Sequence, residues 1–599
     1  MHSTLFLGIM ISAVTAQAAG RPNIVVFYTD DHGYADLSCQ GVFEDVRTPN
    51  VDALAARGVR ALHGYSTAPQ CVPSRAGLMV GRFQSRFGVE SNGSSLDGFN
   101  REITIAQRLQ QAGYITAQFG KWHLGPSSAI TKHGFQHVYA QNSQAPFFAN
   151  ITLNGEDRPM STLRPEMYHI DACSHAAASL INRYPDKPLF LYIAYRAPHV
   201  PLDAPQHYLD RFPGEMPHRR RQALAMLSAV DDGVGLVMRA LKDKGLRENT
   251  LVFYIGDNGA PLKIYKEDAP GGGPGWDGSL NDPLNGEKGM LTEGGIHTPY
   301  VVCWPSKIPA GQEYPHAITA LDVAATATAV AGIKTDPGDM DGVNLVPYLS
   351  GENRAAPHSV LMWRWVSQSA IREGQWKLLR GGDREYLFNL ESDLEEQHNL
   401  AARYPEITDR LRKRLAAWAE ELSPPGLAKT RSDGGAWDSY FDYYLDGKPP
   451  SRTPQKTNRP ARPTPSLALN SAWQVRNGTL DEVDHGIQIT ANGEEARQMP
   501  FLARSGLQLA GPVTAHVVLR STENGPLSFS WRTSKDKVFN EESRISRTLE
   551  QSTDWKTIDI TLPAESTLIH IRLQVPRGVT TIKSLELRPA GGQSVTLLK

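Results

Sequence analysis

Cysteine is scarce in this chain: four residues in 599, at positions 39, 71, 173 and 303. So few and so scattered a set builds no disulfide framework, and without a Cys-x-x-Cys pair or a Cys/His cluster nothing points to structural zinc. An even number still permits bridges. If Cys71 is set apart for chemistry, three remain and at most one pair of Cys39, Cys173 and Cys303 can form. Excess charge is missing too. Lys and Arg total 62 against 63 Asp and Glu, a net charge of -1, so there is no global field of the kind that draws a protein to nucleic acid or to a membrane surface. Beyond the first twenty residues charges interrupt every long apolar run, and no segment reads as a transmembrane anchor.

The amino terminus holds a short apolar stretch. In MHSTLFLGIMISAVTAQAAG, Leu5 to Val14 is too short to span a bilayer and is followed by Ala16-Gln17-Ala18, the small-residue pattern of a secretory cleavage site. Residues 1–18 read as a signal peptide rather than a buried N-terminal helix, because the first strand-like run starts just after the Ala-x-Ala site, although His2 is the only basic side chain ahead of the apolar stretch. The protein is expected to be exported, periplasmic or secreted.

With 40% hydrophobic residues the remainder has the composition of a globular protein, and its length suggests several domains. Residues 19–340 alternate strand-like and helix-like stretches. PNIVVFYTDD, KPLFLYIAYRAPHVP and NTLVFYIGDNG are near-continuous apolar runs, while TPNVDALAARGV reads as a capped helix and RRQALAMLSAVDDGVGLVMRALKDKG as a long amphipathic one. That alternation predicts an α/β fold with a mostly parallel central sheet covered on both faces. Residues 341–445 change to short alternating strands followed by the helix-like YPEITDRLRKRLAAWAEEL, a small antiparallel sheet with a packing helix. Residues 446–466 are rich in Pro and basic residues and read as a linker. Residues 467–599 carry short strands with turns between them, the pattern of an all-β sandwich.

In a parallel sheet, ligands bind at the carboxyl ends of the strands. Here those ends carry Asp30 and Asp31, Lys121 and His123, His199, and Asp257 and Asn258. A single loop Asp is usually a cap or turn residue, but reactive types at four strand ends form a pattern. Asp30, Asp31, Asp257 and Asn258 offer only oxygen donors, a set suited to Ca²⁺ or Mg²⁺, and their carboxylates would repel one another without a cation. In TAPQCVPSRAGLMVGR, Cys71 falls at the start of a predicted helix, where backbone N–H groups and the helix dipole favour a thiolate or another anion. Arg75 follows one turn later. This arrangement suits a nucleophile meeting an anionic substrate; the plainer alternative is a small buried cysteine.

Cys71-Val72-Pro73-Ser74-Arg75 with Leu78 and Gly81-Arg82 resembles the signature of the sulfatases, a family within the alkaline phosphatase superfamily. The resemblance runs over roughly residues 22–425, through the Asp30-Asp31 pair, TPNVDALAARG, GYSTAPQC, GKWHLG, APHVP, GDNG and EKGMLTEGGIHTP. It implies an alkaline-phosphatase-like fold in which Cys71 is oxidised by a maturation enzyme to Cα-formylglycine (3-oxoalanine) and works as the aldehyde hydrate. It further implies that Asp30, Asp31, Asp257, Asn258 and the modified Cys71 hold a divalent cation, usually Ca²⁺. Arg75 would orient the nucleophile, and Lys121, His123, His199 and Lys288 would surround the sulfate. One departure is His297 in GGIHTP, where similar proteins often carry Arg.

The chemistry suits the residues. A sulfate monoester repels an anionic nucleophile unless cations stand between them. His199, with Lys288, would protonate the leaving alcohol, and His123 would take the proton of the hydrate's second hydroxyl so that sulfate leaves by C–O cleavage. The appended sandwich favours a sulfated polysaccharide or oligosaccharide as substrate, by analogy only. Two rivals stand beside this reading. One is a phosphodiesterase or phosphonate monoester hydrolase of the same superfamily. The other is a non-catalytic carbohydrate-binding protein using Trp473, Trp531 and Trp555. The Gly-rich stretch 261–285, with Trp276, is either the wall of a leaving-group pocket or a flexible surface insertion.

Overall fold

The computed structural model describes residues 20–141, 147–153, 156–157, 161–162, 168–200, 202–262, 276–423, 438–448, 474–476, 478–491, 499–536, 539, 543–592 and 594–598. The signal-like residues 1–18, most of the Pro-rich stretch and Trp473 lie outside them. The chain divides into two compact units, residues 1–457 and 458–599.

The first unit is built on the run NIVVFYTD. As a strand, Asn23–Asp30, it is buried along its whole length. Ile24, Val26 and Tyr28 face one core and Val25 and Phe27 face another, so an unbroken apolar run is what a strand covered on both sides requires. Strands Thr250–Gly256 and Leu189–Pro198 flank it in parallel, and Ile115–Lys121 and His137–Gln141 continue the parallel array. Antiparallel strands, among them Tyr300–Cys303 and Phe147–Leu153, extend it to an eleven-stranded sheet. Helices Pro49–Ala56, His169–Arg183 and His218–Asp243 supply one core, and Cys71–Val80, Ile105–Gln111 and Asp322–Val330 the other.

The helix Pro49–Ala56 begins where the sequence predicts, but Thr48 does not cap it with its side chain. The buried Asp231 of the long helix does so instead, accepting from Asn50 N at 2.9 Å and Val51 N at 2.8 Å. A carboxylate there satisfies free N–H groups and complements the helix dipole.

Strands Leu361–Trp365, Gln368–Glu373, Trp376–Gly381 and Arg384–Asn389 form a four-stranded antiparallel meander. One face packs Ile371, Leu378 and Leu387 on Leu411, Leu415 and Trp418 of the helix Pro405–Glu420. Its other face packs Trp363, Leu379 and Phe388 with Met290, Leu291 and Ile296. The meander thus supports the segment that follows Lys288.

The second unit consists of two antiparallel sheets of five and six strands. Leu527, Phe529, Trp531, Ile571 and Leu573 of one sheet share a core with Val517, Leu519, Ile582 and Leu585 of the other. This is a β-sandwich with alternating inward residues.

Candidate active site

Register brings the predicted residues together. Thr29 pairs with Gly256, Asp30 with Pro198, and Gly120 with Ala194, so the four central strands end level. Asp30 and Asp31, Lys121, His199 and Asp257 with Asn258 therefore emerge at one edge. The Cys71–Val80 helix, buried at every position, points its first residue at the same edge. Two glycines let the loops close around it. A Cβ on Gly259 would stand 1.8 Å from Gly294 O, and one on Gly120 would stand 2.1 Å from Ala194 O.

Cys71 Sγ lies 3.2 Å from Asp30 Oδ1 and 3.9 Å from Asp31 Oδ1. Ligand atoms of Asp30, Asp31, Cys71 and His199 all fall within 4.8 Å of one another. Three cations interleave with the acids. Lys121 Nζ is 2.5 Å from Asp30 Oδ2, Lys288 Nζ is 2.7 Å from Asp31 Oδ1, and Arg75 Nη2 is 2.7 Å from Asp257 Oδ2 and 3.5 Å from Asp30 Oδ1. Arg75 is wholly buried and also donates to Lys121 O at 3.2 Å and Tyr192 Oη at 3.3 Å, with its guanidinium over the Tyr28 ring. Arg75 turns inward as expected, but its strongest partner is Asp257.

The electrostatics correct one expectation. A helix N-terminus favours a thiolate, yet burial, Asp257 and Asp30 push the Cys71 thiol well above its ordinary range. Two carboxylates against the sulfur outweigh half a unit charge of dipole, and Asn92 Oδ1 already takes the Val72 N–H at 3.0 Å. As a cysteine, residue 71 is a neutral thiol. Burial opposes ionisation of Asp30, but Lys121, His199, Arg75 and Lys288 outweigh it and hold the carboxyl well below its usual range. Asp31 is held down in the same way, chiefly by Lys288 against burial. Burial and Asp30 push Asp257 up to about 7 despite Arg75.

His123 follows the strand Ile115–Lys121 in a left-handed conformation, φ 62°. The surrounding protein and then Lys121 and Arg75 lower its pKa to about 3, although the ring still reaches solvent; it is a neutral imidazole. His199 is half-buried. Its Nδ1 donates to Val200 O at 2.6 Å, so Nε2, 3.5 Å from Asp31 Oδ2, is the nitrogen that faces the carboxylates.

Asn258 provides the test for a cation. Its Nδ2 donates to Asp31 Oδ1 at 2.7 Å and Gly259 O at 2.9 Å, which leaves Oδ1 a buried acceptor with no hydrogen-bond donor. An orphaned amide oxygen beside three buried carboxylates fits a hard cation.

The chain matches the Sulfatase family model over residues 22–333, more than half its length. The chain belongs to the sulfatase family. It is a sulfuric ester hydrolase. A second model, N-sulphoglucosamine sulphohydrolase, C-terminal, matches residues 286–421 and takes in both Lys288 and the antiparallel meander. Mouse arylsulfatase J is 27% identical over 70% of the sulfatase and 80% of its own length. Mouse N-acetylgalactosamine-6-sulfatase is 31% identical over 62% and 74%, and human arylsulfatase A 30% over 62% and 78%. Among solved structures, Ps i-CgsB in complex with k-i-k-neocarrahexaose superposes with a TM-score of 0.60 at 28% identity, covering 70% of the sulfatase and 98% of that chain. Phosphonate monoester hydrolase of Agrobacterium radiobacter shares the fold, with a TM-score of 0.51 at 19% identity, covering 67% and 96%.

Some features of the surroundings escaped sequence reading. His297 is buried and bonded to Glu293 Oε2 at 2.9 Å, within a cluster where Lys377 reaches Glu293 at 2.7 Å and Glu396 at 2.8 Å. The meander supplies that lysine, and nothing in its local sequence marks it. Gln368, also from the meander, donates to Gly289 O at 2.8 Å and accepts from Leu291 N at 3.0 Å, gripping the segment just past Lys288. Trp276 differs from expectation. It is 1% exposed and packs on Ala35 and Leu280, its indole N–H donating to Ser279 O at 2.7 Å, so it does not wall a pocket. Residues 263–275 of that stretch lie outside the described ones.

Proposed function

We propose that this sulfatase hydrolyses sulfate monoesters on a sulfated carbohydrate, with Cys71 converted to formylglycine as its nucleophile. The observation that carries the reading is the convergence on Cys71 of two carboxylates and three cationic side chains at one sheet edge. Ps i-CgsB, with its neocarrahexaose complex, supports the substrate class. The high pKa of the Cys71 thiol supports conversion, because an unmodified cysteine there would attack poorly.

Asp30, Asp31, Asp257 and Asn258 would hold the cation, Ca²⁺ by the hardness of the donors with Mg²⁺ as the alternative. A bound cation supplies Lewis-acid polarisation of a sulfate oxygen and acidifies the nucleophilic hydroxyl. Lys121 and Lys288 then turn from the carboxylates to the sulfate oxygens. They lie where negative charge must be screened, and they are already desolvated, so little reorganisation is needed. Arg75, fixed between Asp257 and Tyr192, keeps the carboxylates in place beneath residue 71. His199 Nε2 gives its proton to the leaving alcohol. His123, neutral and reaching solvent, takes the proton that lets sulfate depart. The hydrate's second hydroxyl provides that exit, which an ordinary serine or cysteine ester lacks.

The protein is proposed to be exported after removal of residues 1–18, and to depend on a formylglycine-generating enzyme for activity. The deciding measurement is the mass of the tryptic peptide Ala61–Arg75 from protein made with such an enzyme. A peptide lighter by the difference between CH₂SH and CHO, and reactive toward a hydrazide, is expected. An intact thiol in a preparation that converts a control sulfatase would sink the mechanism. Faster turnover of an aryl phosphate diester than of an aryl sulfate would instead favour the phosphodiesterase reading.

A further inference from the structure

On the outer face of the six-stranded sheet Arg588 pairs with Glu586 at 2.7 Å, His516 lies 2.6 Å from Asp559, and Arg520 donates to Thr553 O at 3.4 Å. Trp555 there lies against Arg520 and Lys583, so it is not an open platform for a sugar ring, and Trp531 is in the core.

The five-stranded sheet presents a row of polar residues with two exposed arginines. Its core-facing residues Phe529, Trp531, Ile571 and Leu573 alternate with Ser528, Ser530, Arg532, His570, Arg572 and Gln574, which occupy the opposite face. Register aligns Arg572 with Ser530 and Ser530 with Arg544, and puts His570 opposite Arg532. Arg572 and Arg544 are thus two strands apart, about 10 Å. Arg544 is exposed and bonds only neutral groups, Gln574 Oε1 at 2.8 Å and Ser528 Oγ at 3.3 Å. Arg572 is exposed and lies over Phe539 at 3.9 Å and Phe501 at 5.5 Å. Among the described residues no carboxylate forms an ion pair with Arg544 or Arg572. Asp536, at the end of the strand, uses its carboxylate on Thr533 N and Oγ1 at 2.8 and 2.7 Å. Burial, then Arg532, lowers the pKa of Arg572; burial, then Arg532 and Arg572, lowers that of His570. Arg532 and Arg572 repel one another.

We propose that this face of the sandwich, centred on Arg572 and Arg544, binds the sulfated polysaccharide chain, as a site additional to the catalytic one. The inference rests on the sulfated-carbohydrate reading of the active site. Guanidinium forks meet tetrahedral oxyanions through paired hydrogen bonds, and the serines and Gln574 between them suit sugar hydroxyls. Nucleic acid fits less well. A single strand needs open aromatic faces for stacking, and Phe501 and Phe539 are already engaged by Arg572.

The test uses the full chain. Binding is measured with the Cys71→Ala protein, so that substrate is not consumed, on a sulfated galactan, the same galactan after chemical desulfation, and single-stranded DNA. Arg572→Ala with Arg544→Ala is expected to weaken binding of the sulfated galactan roughly tenfold or more and to flatten its salt dependence. Arg572→Lys with Arg544→Lys should keep part of both. In the Cys71 protein, the alanine pair should raise KM for the polymer and leave aryl sulfate turnover unchanged. Unchanged galactan binding in the alanine pair, equal binding of the desulfated polymer, or tighter binding of DNA would overturn the proposal. Loss of the catalytic reading looks different: no aryl sulfate turnover in matured protein, with arginine-dependent galactan binding intact.

Discussion

Asn258 and Lys288 show how much a single side chain decides here. Each sits against Asp31, one with an amide oxygen lacking a donor, the other with an ammonium at 2.7 Å. Removing tightly bound metal with a chelator is expected to abolish aryl sulfate turnover, and added Ca²⁺ to restore it. Asn258→Ala should shift that Ca²⁺ requirement to higher concentration with the fold intact by circular dichroism. Lys288→Ala removes one preorganised cation from the site, and kcat should fall by about 10²–10³-fold. A Lys288→Ala protein with parental kcat would take Lys288 out of the chemistry. The residue types at these positions were legible in the sequence because they sit at strand ends or in a long motif. The protonation of Cys71 was not: it depends on burial of the thiol and on the approach of Asp257 and Asp30, and only folding sets those.

At the scale of elements, the antiparallel meander acts as a brace for the active site. Gln368 holds Gly289 and Leu291, with Lys288 next in the chain. Gln368→Leu costs two hydrogen bonds of about 1 kcal/mol each and loosens Lys288. We expect kcat/KM to drop about tenfold, with partial recovery in Gln368→Glu, which still accepts from Leu291 N. A second contact joins the loop before the meander to the helix Asp322–Val330. His358 Nε2 lies 2.9 Å from the buried Asp322. Burial opposes its charge, but Asp322 prevails and raises its pKa above the ordinary 6.5. A raised folded value means the pair stabilises fully below the unfolded pKa and loses that contribution as pH rises through the folded one. His358→Gln should therefore lower Tm by roughly 2–4 °C at mildly acidic pH, and the gap from the parent should close toward alkaline pH. A gap that widened with pH would contradict the assignment. Sequence periodicity predicted the meander and its helix, but not what they brace, since Gln368 and Lys377 look like ordinary polar residues of a short strand.

The whole molecule has separate cores on either side of residue 457. Two calorimetric transitions are expected, and removing the bound cation should lower only the one belonging to the catalytic unit, because a ligand stabilises the unit that binds it. A shift of both together would show a single cooperative molecule. None of the four cysteines is in a disulfide. The pairing among Cys39, Cys173 and Cys303 that the composition permits is therefore absent, and a reductant should leave both transitions where they are.

What the sequence determined by itself was the type and order of the parts. Unbroken apolar runs require strands covered on both faces, strict alternation requires a sandwich, and the segment around Cys71 carries the family's signature in contiguous residues. These are local patterns, set by periods of two and 3.6 and by which side chains water excludes. Tertiary structure decided everything that depends on distance between remote residues. It placed Asp231 rather than Thr48 at a helix start, buried Trp276 and set Lys377 beneath Glu293. Among the described residues it also left Arg544 and Arg572 without an ion-paired acid, because a charge's balance is fixed by its neighbours in space, and strand register, not chain order, chooses those.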